Sequence, residues 1–470
     1  MTNNVLELFE NNKICFFVKS SNVIKRDLRL DPTHFVDDYT ITLNDEIRFK
    51  KLKDFVFSIN EPNLFTRYYC KKDYGLPYIS SSEMSEIEPP VNSRFISKEL
   101  TNNIAQYIIK RGQILVSAAG TVGSIVIATK VLDGVAGTSD ILRIEVDIKT
   151  NLGFIYTYLT SSYGANELAN LAYGAIIKRV RGAQLAELKT PKIDDDSILR
   201  MNDLILSSLN NRDIANELIK KARTLVLQYN NLPPLSEFEI ETIDPNKEVE
   251  IRKVNFSAFT SDYRLDAHFY NPLAKLAEDK IIESCKNLKV LSDVTVDIKM
   301  SPLFVRNFVE GNFGIKYIAG KHISQIRKAY KFISKSETIN IEEHILKLGW
   351  TLMTCAGTLG KIGYVNEELD GATAQDLMRI IPDEDKIDGG YLNSWLSTEY
   401  GRSLILRQRY GAVVDRISPE QTGQILIPII NTEKQIEIGD LVRQAYDLRA
   451  EAIKLEDEAQ EILKKALTGK

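Results

Sequence analysis

Two short segments contain residue types that act in phosphate or metal chemistry. Gly357–Lys361 reads Gly-Thr-Leu-Gly-Lys, which are the letters of a phosphate-binding loop. That loop requires four residues between its glycines and a Ser or Thr after the lysine, whereas this segment has two between them and is followed by Ile362. Asp383–Asp385 is acidic throughout, but the acids of a metal-dependent nuclease come from separate strands. The spacing therefore predicts a tight glycine turn and a charged turn.

The histidines, cysteines and Pro-Pro pairs form no catalytic pattern. His34 and His268 match across two similar parts of the chain and keep no metal-ligand spacing with a cysteine or an acid. The cysteines, at positions 15, 70, 285 and 355, fit neither a metal nor a disulfide pattern. A base-flipping amino-methyltransferase needs Asp, Asn or Ser before Pro-Pro and an aromatic residue, which this sequence lacks. We expect no catalytic residue, metal site or bound cofactor.

The glycines of the first segment belong to an internal repeat. Residues 116–147 and 352–383 carry small, apolar and charged positions in the same order. All matched pairs have the same separation in sequence as Gly120 and Gly357, here called the repeat offset. A constant offset over such a distance predicts two complete domains built on one plan.

Glycine supplies positive φ in tight turns, so four glycines of the repeat are predicted to be structural. They are Gly120 and Gly123 in the first copy, and Gly357 and Gly360 in the second.

Each copy ends in a segment with helical periodicity. Residues 197–231 and 432–467 carry apolar residues at mixed three and four spacing, with charged residues between them. At 1.5 Å per residue each helix would reach roughly 50 Å, which is long for a compact domain. The apolar stripes predict that the two helices pair with each other as an antiparallel coiled coil.

The rest of each copy has short β-rich runs separated by Gly, Asn, Asp and Pro turns, with one helical piece near 153–172. The fold class that follows is α+β, with two mainly β domains in tandem and a long helix after each. The predicted boundaries are 1–192 for the first domain, 193–235 for the central helix, 236–430 for the second domain and 431–470 for the C-terminal helix.

Composition is compatible with this plan. The chain has 470 residues, of which 44% are hydrophobic and 26% charged, enough to bury several ordinary cores. Met1–Lys13 does not have a basic region followed by an apolar core, and no stretch approaches the roughly 18 apolar residues of a membrane span. We therefore expect a soluble, cytoplasmic protein.

The formal net charge is −4, although nucleic-acid-binding proteins normally have a basic footprint. Basic residues nevertheless cluster beside aromatics in turn-like segments of both copies, where they could contact phosphates and base edges. The predicted DNA-binding residues are Lys71, Lys72, Lys178, Arg179, Arg181, Lys321, His322, Arg327, Lys328, Arg407, Arg409 and Arg416. Arg179 and Arg416 match across the copies, so a shared phosphate or structural contact is expected for them rather than base recognition.

The order of motifs resembles the specificity subunit of type I restriction-modification enzymes over essentially the whole chain. It is clearest in the second copy, and the first departs from it at Thr138–Asp140. The motifs are Ala-Gly-Thr-(Val/Leu)-Gly, an Asp-Gly turn, Gln375–Ile380, Tyr410–Ala412, Arg416–Ser418, Ile427–Pro428 and a helix beginning near Glu433.

The resemblance implies two target-recognition domains related by a pseudo-two-fold axis, each recognising one half of a split DNA target, with the helices setting the gap. It also implies a subunit without catalysis of its own that docks two methyltransferase subunits. Those partners would use S-adenosylmethionine to methylate a flipped adenine. A translocating restriction subunit is a further expected partner. These implications rest on analogy with the family.

Two alternatives fit the same residues. The acidic net charge favours a paired-helix scaffold whose globular domains bind protein. The basic turns fit equally a DNA-binding subunit of an antiphage system that methylates without classical restriction. The target bases and the spacer length cannot be deduced from the sequence, because they depend on where side chains lie within a groove.

Overall fold

The computed structural model describes residues 47–90, 94–119, 123–173, 178–235, 264, 266–301, 304–327, 330–336, 338 and 340–469. The chain divides into two compact units. The first unit comprises Met1–Ser85, Pro89–Ser207 and Leu455–Lys470. The second unit comprises Glu86–Glu88 and Ser208–Lys454.

The first unit is built on short strands, because β-branched and apolar residues alternate with turn residues along this part of the sequence. Its strands are β1 (Arg48–Lys51), β2 (Ser58–Asn60), β3 (Gly75–Ile79), β4 (Phe95–Ser97), β5 (Ile114–Ser117), β6 (Ile125–Ile127), β7 (Ala136–Gly137), β8 (Ile141–Glu145) and β9 (Lys189–Lys192). Sheet orders are β2-β8-β5-β6, β4-β3-β7 and β1-β9. The central strand β5 is buried at all four residues.

Helices cover these sheets. They are α1 (Leu152–Thr160), α2 (Ser162–Leu171), α3 (Gly182–Ala186) and the long α4 (Asp195–Tyr229). Residues Leu152–Leu159 of α1 are all buried. Within the first unit Gly153 packs so closely on α4 that a Cβ there would lie 2.3 Å from the Cα of Asn202. The Asn202 side chain accepts a hydrogen bond from the Gly153 amide at 2.8 Å.

The second unit has the same kinds of element. Its strands are β10 (Leu288–Val290), β11 (Thr295–Met300), β12 (Phe308–Val309), β13 (Gly314–Ile318), β14 (Lys331–Ser334), β15 (Thr351–Thr354), β16 (Ile362–Tyr364), β17 (Thr373–Ala374), β18 (Leu377–Pro382) and β19 (Leu426–Pro428). Its helices are α5 (Pro272–Ser284), α6 (Gly389–Leu396), α7 (Glu399–Arg407), α8 (Pro419–Gly423) and α9 (Thr432–Thr468). Sheet orders are β11-β18-β15-β16, β12-β14-β13-β17 and β10-β19.

The repeat offset found in the sequence recurs in the element bounds. Strands β5, β6 and β7 and helix α3 reappear at this offset with unchanged lengths as β15, β16, β17 and α8. Strand β3, which precedes them in the chain, reappears as β13. The separation between these two strands, that of Gly75 and Gly314, is slightly longer than the repeat offset and is called the longer offset. An α+β architecture with a β-rich N-terminal region and long helices is therefore confirmed.

An arginine is buried in the central sheet of each unit. Arg143 on β8 is 0% exposed and Arg379 on β18 is 1% exposed. Arg143 donates to the carbonyls of Ile141 and Tyr107, both at 2.8 Å. Arg379 donates to the carbonyl of Glu343 at 2.6 Å. Both arginines thus donate to backbone carbonyls inside their own unit, which gives their buried guanidinium groups hydrogen-bond partners.

The two long helices carry buried residues at alternating spacings of four and three. In α9 the buried positions are Ile438, Val442, Ala445, Arg449, Ala452, Glu456, Ala459 and Leu463. In α4 they include Met201, Ile205, Ser208, Arg212, Ala215, Ile219, Ala222 and Val226. This period of 3.5 is the one that coiled-coil seams use.

Within the second unit the two helices contact each other. The Tyr229 hydroxyl donates to Glu437 at 2.8 Å, and Arg449 donates to the Asn216 side chain at 3.1 Å. The later residue of α4, Tyr229, contacts the earlier residue of α9, Glu437, and the earlier residue of α4 contacts the later residue of α9. The helices therefore run in opposite directions here. Within the first unit Gln460 of α9 donates to the Thr157 carbonyl of α1 at 3.0 Å.

Among the described residues, no helix combines the length and the apolar character that crossing a membrane requires.

Candidate nucleic-acid interface

A short hairpin places Arg179 beside the glycine turn of the first unit. The backbone of Arg179 exchanges hydrogen bonds of 2.8 and 2.9 Å with Tyr173, and the Val180 amide donates to the Ala118 carbonyl at 3.0 Å. The Arg179 guanidinium lies 3.5 Å from Asp140, which follows β7. Arg179 is exposed. Its guanidinium is therefore presented at the surface and oriented by a carboxylate.

The second unit repeats this hairpin with Arg416. Arg416 and Tyr410 exchange backbone hydrogen bonds of 2.8 Å, and the Gly357 amide donates to the Asp415 carbonyl at 2.9 Å. Arg416 is also exposed. Burial raises the pKa of the Cys355 thiol to about 11. The Ile417 amide, next to Arg416 in the chain, donates to the Cys355 carbonyl at 3.2 Å, so this hairpin lies beside the glycine turn.

The described glycines of these turns have the backbone conformation expected of them. Gly123, Gly357 and Gly360 have φ of 90°, 72° and 74°, where a side chain would be strained. Gly120, predicted to share this role, lies outside the described residues. In the second unit Gly357 and Gly360 lie between β15 and β16, next to the arginine hairpin.

Lys178 and Arg181 lie on either side of Arg179 along the chain. Both are exposed. Arg181 donates from Nε to the Tyr173 hydroxyl at 2.9 Å, and its guanidinium lies 5.8 Å from the Tyr173 ring centroid. This hydrogen bond raises the pKa of Arg181. All three basic residues are therefore exposed within a stretch of four positions.

Lys71 and Lys72 lie at the start of the 3-10 turn Lys72–Tyr74, immediately before β3. Both lysines are exposed, and Tyr74 beside them is 71% exposed. A large aromatic side chain this exposed has little packing function in the unit. The geometry therefore presents two cations and a ring together at the surface.

The residues predicted around 321–328 differ in exposure. Lys321 and Arg327 are exposed, whereas His322 is buried. The His322 Nδ1 accepts a hydrogen bond from the Ala319 amide at 2.9 Å and so closes its own 3-10 turn. Lys328 lies outside the described residues.

Arg407 and Arg409 are engaged with the segment that opens the second copy. Arg407 lies 2.5 Å from Glu278 of α5 and donates to the Phe269 carbonyl at 3.1 Å. Arg409 binds Asp415 at 3.0 Å and also contacts the ring of His268. These partners occupy both guanidinium groups within the second unit.

The structure reveals one further basic feature that the sequence did not single out. Arg67 lies over the ring of Tyr78 on β3, and Arg306 lies over the ring of Tyr317 on β13. The signal was available as Phe-x-Arg-x-aromatic, at 65–69 and again at 304–308. It was missed because these two segments have the longer offset of β3 and β13, not the repeat offset of the glycine turns.

The described residues contain no group of three or more His, Cys, Asp or Glu able to hold a metal ion. The arrangement presents exposed guanidinium and ammonium groups, several stacked on or bonded to tyrosine. Such groups can bind phosphate and base-edge acceptors.

Comparison with known proteins agrees with this chemistry. Residues 44–222 match the family model described as the type I restriction modification DNA specificity domain. A search of curated proteins gives no significant match.

Solved structures also align with the chain over most of its length. The S subunit of a type I restriction-modification system from M. genitalium aligns at 15% identity over 91% of this chain and 98% of that chain, with a TM-score of 0.37. The HsdS subunit from Thermoanaerobacter tengcongensis aligns at 13% identity over 92% of this chain and 99% of that chain, with a TM-score of 0.28.

The family match falls on the first copy, and it includes the glycine turn, the arginine hairpin and most of α4. The resemblance drawn from the residues is thereby confirmed for the first copy, because residues 44–222 match the type I restriction modification DNA specificity domain.

Proposed function

We propose that the chain is the DNA sequence-recognition subunit of a type I-like restriction-modification or methylation-based antiphage system. Its two target-recognition domains, 1–192 and 236–430, would each bind one half of a bipartite target. The observation that carries the proposal is the recurrence of one set of elements, each with an exposed arginine beside a glycine turn at Arg179 and Arg416. The family match to the first copy connects that repeated site to DNA.

The long helices, within 193–235 and 431–470, are proposed to pair as an antiparallel coiled coil that sets the distance between half-sites. The buried period of 3.5 residues and the opposed direction of the contacts in the second unit support this pairing. Helices of 35 and 37 residues reach roughly 50 Å. That length exceeds the ~34 Å between successive turns of a DNA groove.

The chain is proposed to act without catalysis of its own. Two methyltransferase subunits would dock against it, bind S-adenosylmethionine and methylate a flipped adenine. A restriction subunit that translocates DNA would join the complex where restriction accompanies modification. The proposal places all of this assembly in the cytoplasm.

Direct DNA contact is proposed for the exposed residues of the predicted set: Lys71, Lys72, Lys178, Arg179, Arg181, Lys321, Arg327 and Arg416. Lys328, which follows Arg327, is included with them. His322, Arg407 and Arg409 are proposed as positioning residues, because their polar atoms bind other parts of the second unit.

Methylome sequencing of the host with and without this gene tests the proposal. We expect one split motif, carrying N6-methyladenine, to lose its modification when the gene is deleted and to regain it on complementation. An unchanged methylome would contradict the proposed function. A phage-plating assay on the same strains then distinguishes restriction from modification alone, because only restriction lowers plating efficiency of unmodified phage.

Binding by the assembled complex provides the second test. Substituting Arg327 and Lys328 with Ala is expected to weaken binding to the methylome motif and to flatten its salt dependence. Lys275→Ala is a matched control, since this exposed lysine on α5 is already paired with Glu278 and Asp279. Equal affinity of the double variant and the control would exclude the assigned contacts.

A further inference from the structure

An aromatic cluster surrounds Tyr78 in the first unit. The rings of Phe65 and Tyr69 each meet it edge-on, with centroids 6.3 Å away. The Arg67 guanidinium lies 6.0 Å from the centroid of the Tyr78 ring, and the Arg94 guanidinium lies 5.7 Å from it. Tyr78 is 2% exposed, whereas Arg67 is exposed. A fixed ring thus supports a surface cation.

The second unit has the same cluster around Tyr317. The rings of Phe304 and Phe308 meet it edge-on at 6.3 and 6.0 Å, and the Arg306 guanidinium lies 5.6 Å from its centroid. Lys331 adds a second cation, 4.6 Å from the Phe308 centroid. Both phenylalanines, Arg306 and Tyr317 match their counterparts in the first unit at one constant offset, the longer offset of β3 and β13.

Arg306 is held in one orientation. Its Nε donates to the side-chain oxygen of Gln375, and its Nη2 lies 3.4 Å from Asp376. The side chain keeps 45% of its surface exposed. Because these contacts already restrict the guanidinium, less side-chain entropy is lost when its exposed part binds a ligand.

Packing does not explain the repeated exposure at this surface. An exposed cation–π contact contributes only about 0.5–1 kcal/mol. Tyr74 and Phe313, which match each other at the same longer offset, lie between the arginine and the buried tyrosine of each cluster in sequence and are 71% and 73% exposed. Both units have a surface arginine over a buried tyrosine, and both have an exposed ring close by in sequence. This shared arrangement points to a ligand that both units bind.

We propose that Arg67 and Arg306 are equivalent phosphate anchors, each gripping the backbone of duplex DNA next to one half-site. This inference rests on the proposed function. A guanidinium forms bidentate charge-assisted hydrogen bonds with phosphate oxygens. The two halves of a split target differ in bases and share only their backbone, so an arginine over a buried tyrosine in both units fits phosphate. The turn after β7, Thr138–Asp140, differs from Gln375–Asp376 and shows how the surroundings diverge.

The test uses the full chain assembled with its methyltransferases, and duplexes that contain or lack the methylome motif. Arg67→Ala and Arg306→Ala are each expected to weaken binding about tenfold on both duplexes. Each substitution is also expected to reduce the magnitude of the negative slope of log affinity against log salt by about 1. The double variant should reduce it by about 2. Arg→Lys at either site should retain the slope, because the charge remains. Lys275→Ala is the control for loss of an unrelated charge.

Unchanged affinity and slope in both Ala variants, with normal binding by the wild-type complex, would overturn the anchor while leaving the proposed function intact. Weakening confined to the motif duplex would also overturn it, because the arginine would then be recognising a base. If the wild-type complex binds neither duplex, the proposed function and the anchor both fail. Both arginines are exposed, so thermal midpoints close to the wild-type value are expected and show that the variants fold.

Discussion

At the scale of single residues, arginine serves two purposes that its neighbours decide. Arg143 and Arg379 are buried and bind backbone carbonyls, whereas Arg67, Arg179 and Arg306 keep surface exposure. Burial lowers the pKa of Arg143 to about 10, so its guanidinium remains charged at neutral pH. The same residue type therefore cross-links backbone inside the sheet and is a proposed DNA contact at the surface.

The first prediction compares these two environments. Arg143→Met removes the hydrogen bonds that the buried guanidinium donates to three carbonyls, those of Ile141, Tyr107 and Gly137. We expect the free energy of unfolding to fall by about 2–4 kcal/mol, measured by urea denaturation. Arg67→Met, at an exposed site, should change stability by less than about 1 kcal/mol, the most that its exposed cation–π contact contributes. If both variants lose a similar free energy of unfolding, the burial of Arg143 does not account for its contribution to stability.

At the scale of elements, glycine allows helices to pack at close range. Gly390 of α6 faces Gly439 of α9 within the second unit, and a Cβ on Gly390 would lie 2.6 Å from the Gly439 Cα. Gly153, which matches Gly390 at the repeat offset, has the equivalent place in the first unit, against Asn202. The long helix of each copy is thus fixed to the globular part through a backbone contact.

The second prediction concerns this contact. Ala is favoured over Gly in a helix by about 1 kcal/mol where space is available. Gly390→Ala should instead lower the free energy of unfolding by about 2 kcal/mol or more, because backbone must move apart. Gly371→Ala provides the comparison: its φ is 74° with nothing within 4 Å, so only conformational strain of about 1–2 kcal/mol is expected. A neutral or stabilising effect at Gly390 would refute close packing there.

A second element-scale feature is the segment Glu86–Glu88, which belongs to the second unit. Glu88 accepts hydrogen bonds from Arg223 of α4 at 2.7 Å and from Arg449 of α9 at 3.4 Å. Burial acts to raise the pKa of Glu88, but the charges and hydrogen bonds of the two arginines outweigh it, so the pKa is lowered. One carboxylate therefore ties both long helices together.

The third prediction follows from the direction of that shift. A carboxylate with a lowered pKa stabilises the folded state above its unfolded pKa, and the contribution is lost as the pH falls through the folded pKa. Glu88→Gln should lower the free energy of unfolding by about 1–2 kcal/mol near neutral pH. The difference in free energy of unfolding between this variant and the wild type should shrink below about pH 4.5, the ordinary pKa of a glutamate.

Denaturation curves at pH 7 and pH 3.5 measure the effect. Glu283→Gln is the control, because its pair with Lys280 is on the surface of α5 and contributes little. A pH-independent gap between Glu88→Gln and wild type would contradict an ionic role.

At the scale of the whole molecule, the proposed function depends on a fixed distance between two DNA contacts. The proposed pairing of two helices of 35 and 37 residues makes that distance stiff. A stiff spacer tolerates no change in the separation or the relative rotation of its half-sites.

The fourth prediction tests that stiffness. Inserting about 5 base pairs between the halves of the methylome motif rotates one half by about half a turn. We expect methylation of a plasmid carrying the altered motif to fall to background, while the unaltered motif on the same plasmid remains modified. Full methylation of both motifs would show that the two contacts are joined flexibly.

The sequence by itself determined the features that depend on order along the chain. The constant repeat offset predicted the recurrence of β5, β6 and β7, and helical periodicity predicted long helices where α4 and α9 lie. The glycine turns followed from spacing as well, because positive φ at Gly357 is a local backbone requirement. The family resemblance rested on the same ordered motifs.

Only the tertiary structure decided which polar residues are exposed and what they touch. His322 and Lys321 are neighbours in sequence, yet one is buried and the other is exposed. Arg407 pairs with Glu278 on a distant helix, and Arg306 binds Gln375. Basic letters in a turn-like segment do not reveal such partners. Burial and pairing depend on contacts between distant segments, and those contacts exist only once the chain has folded.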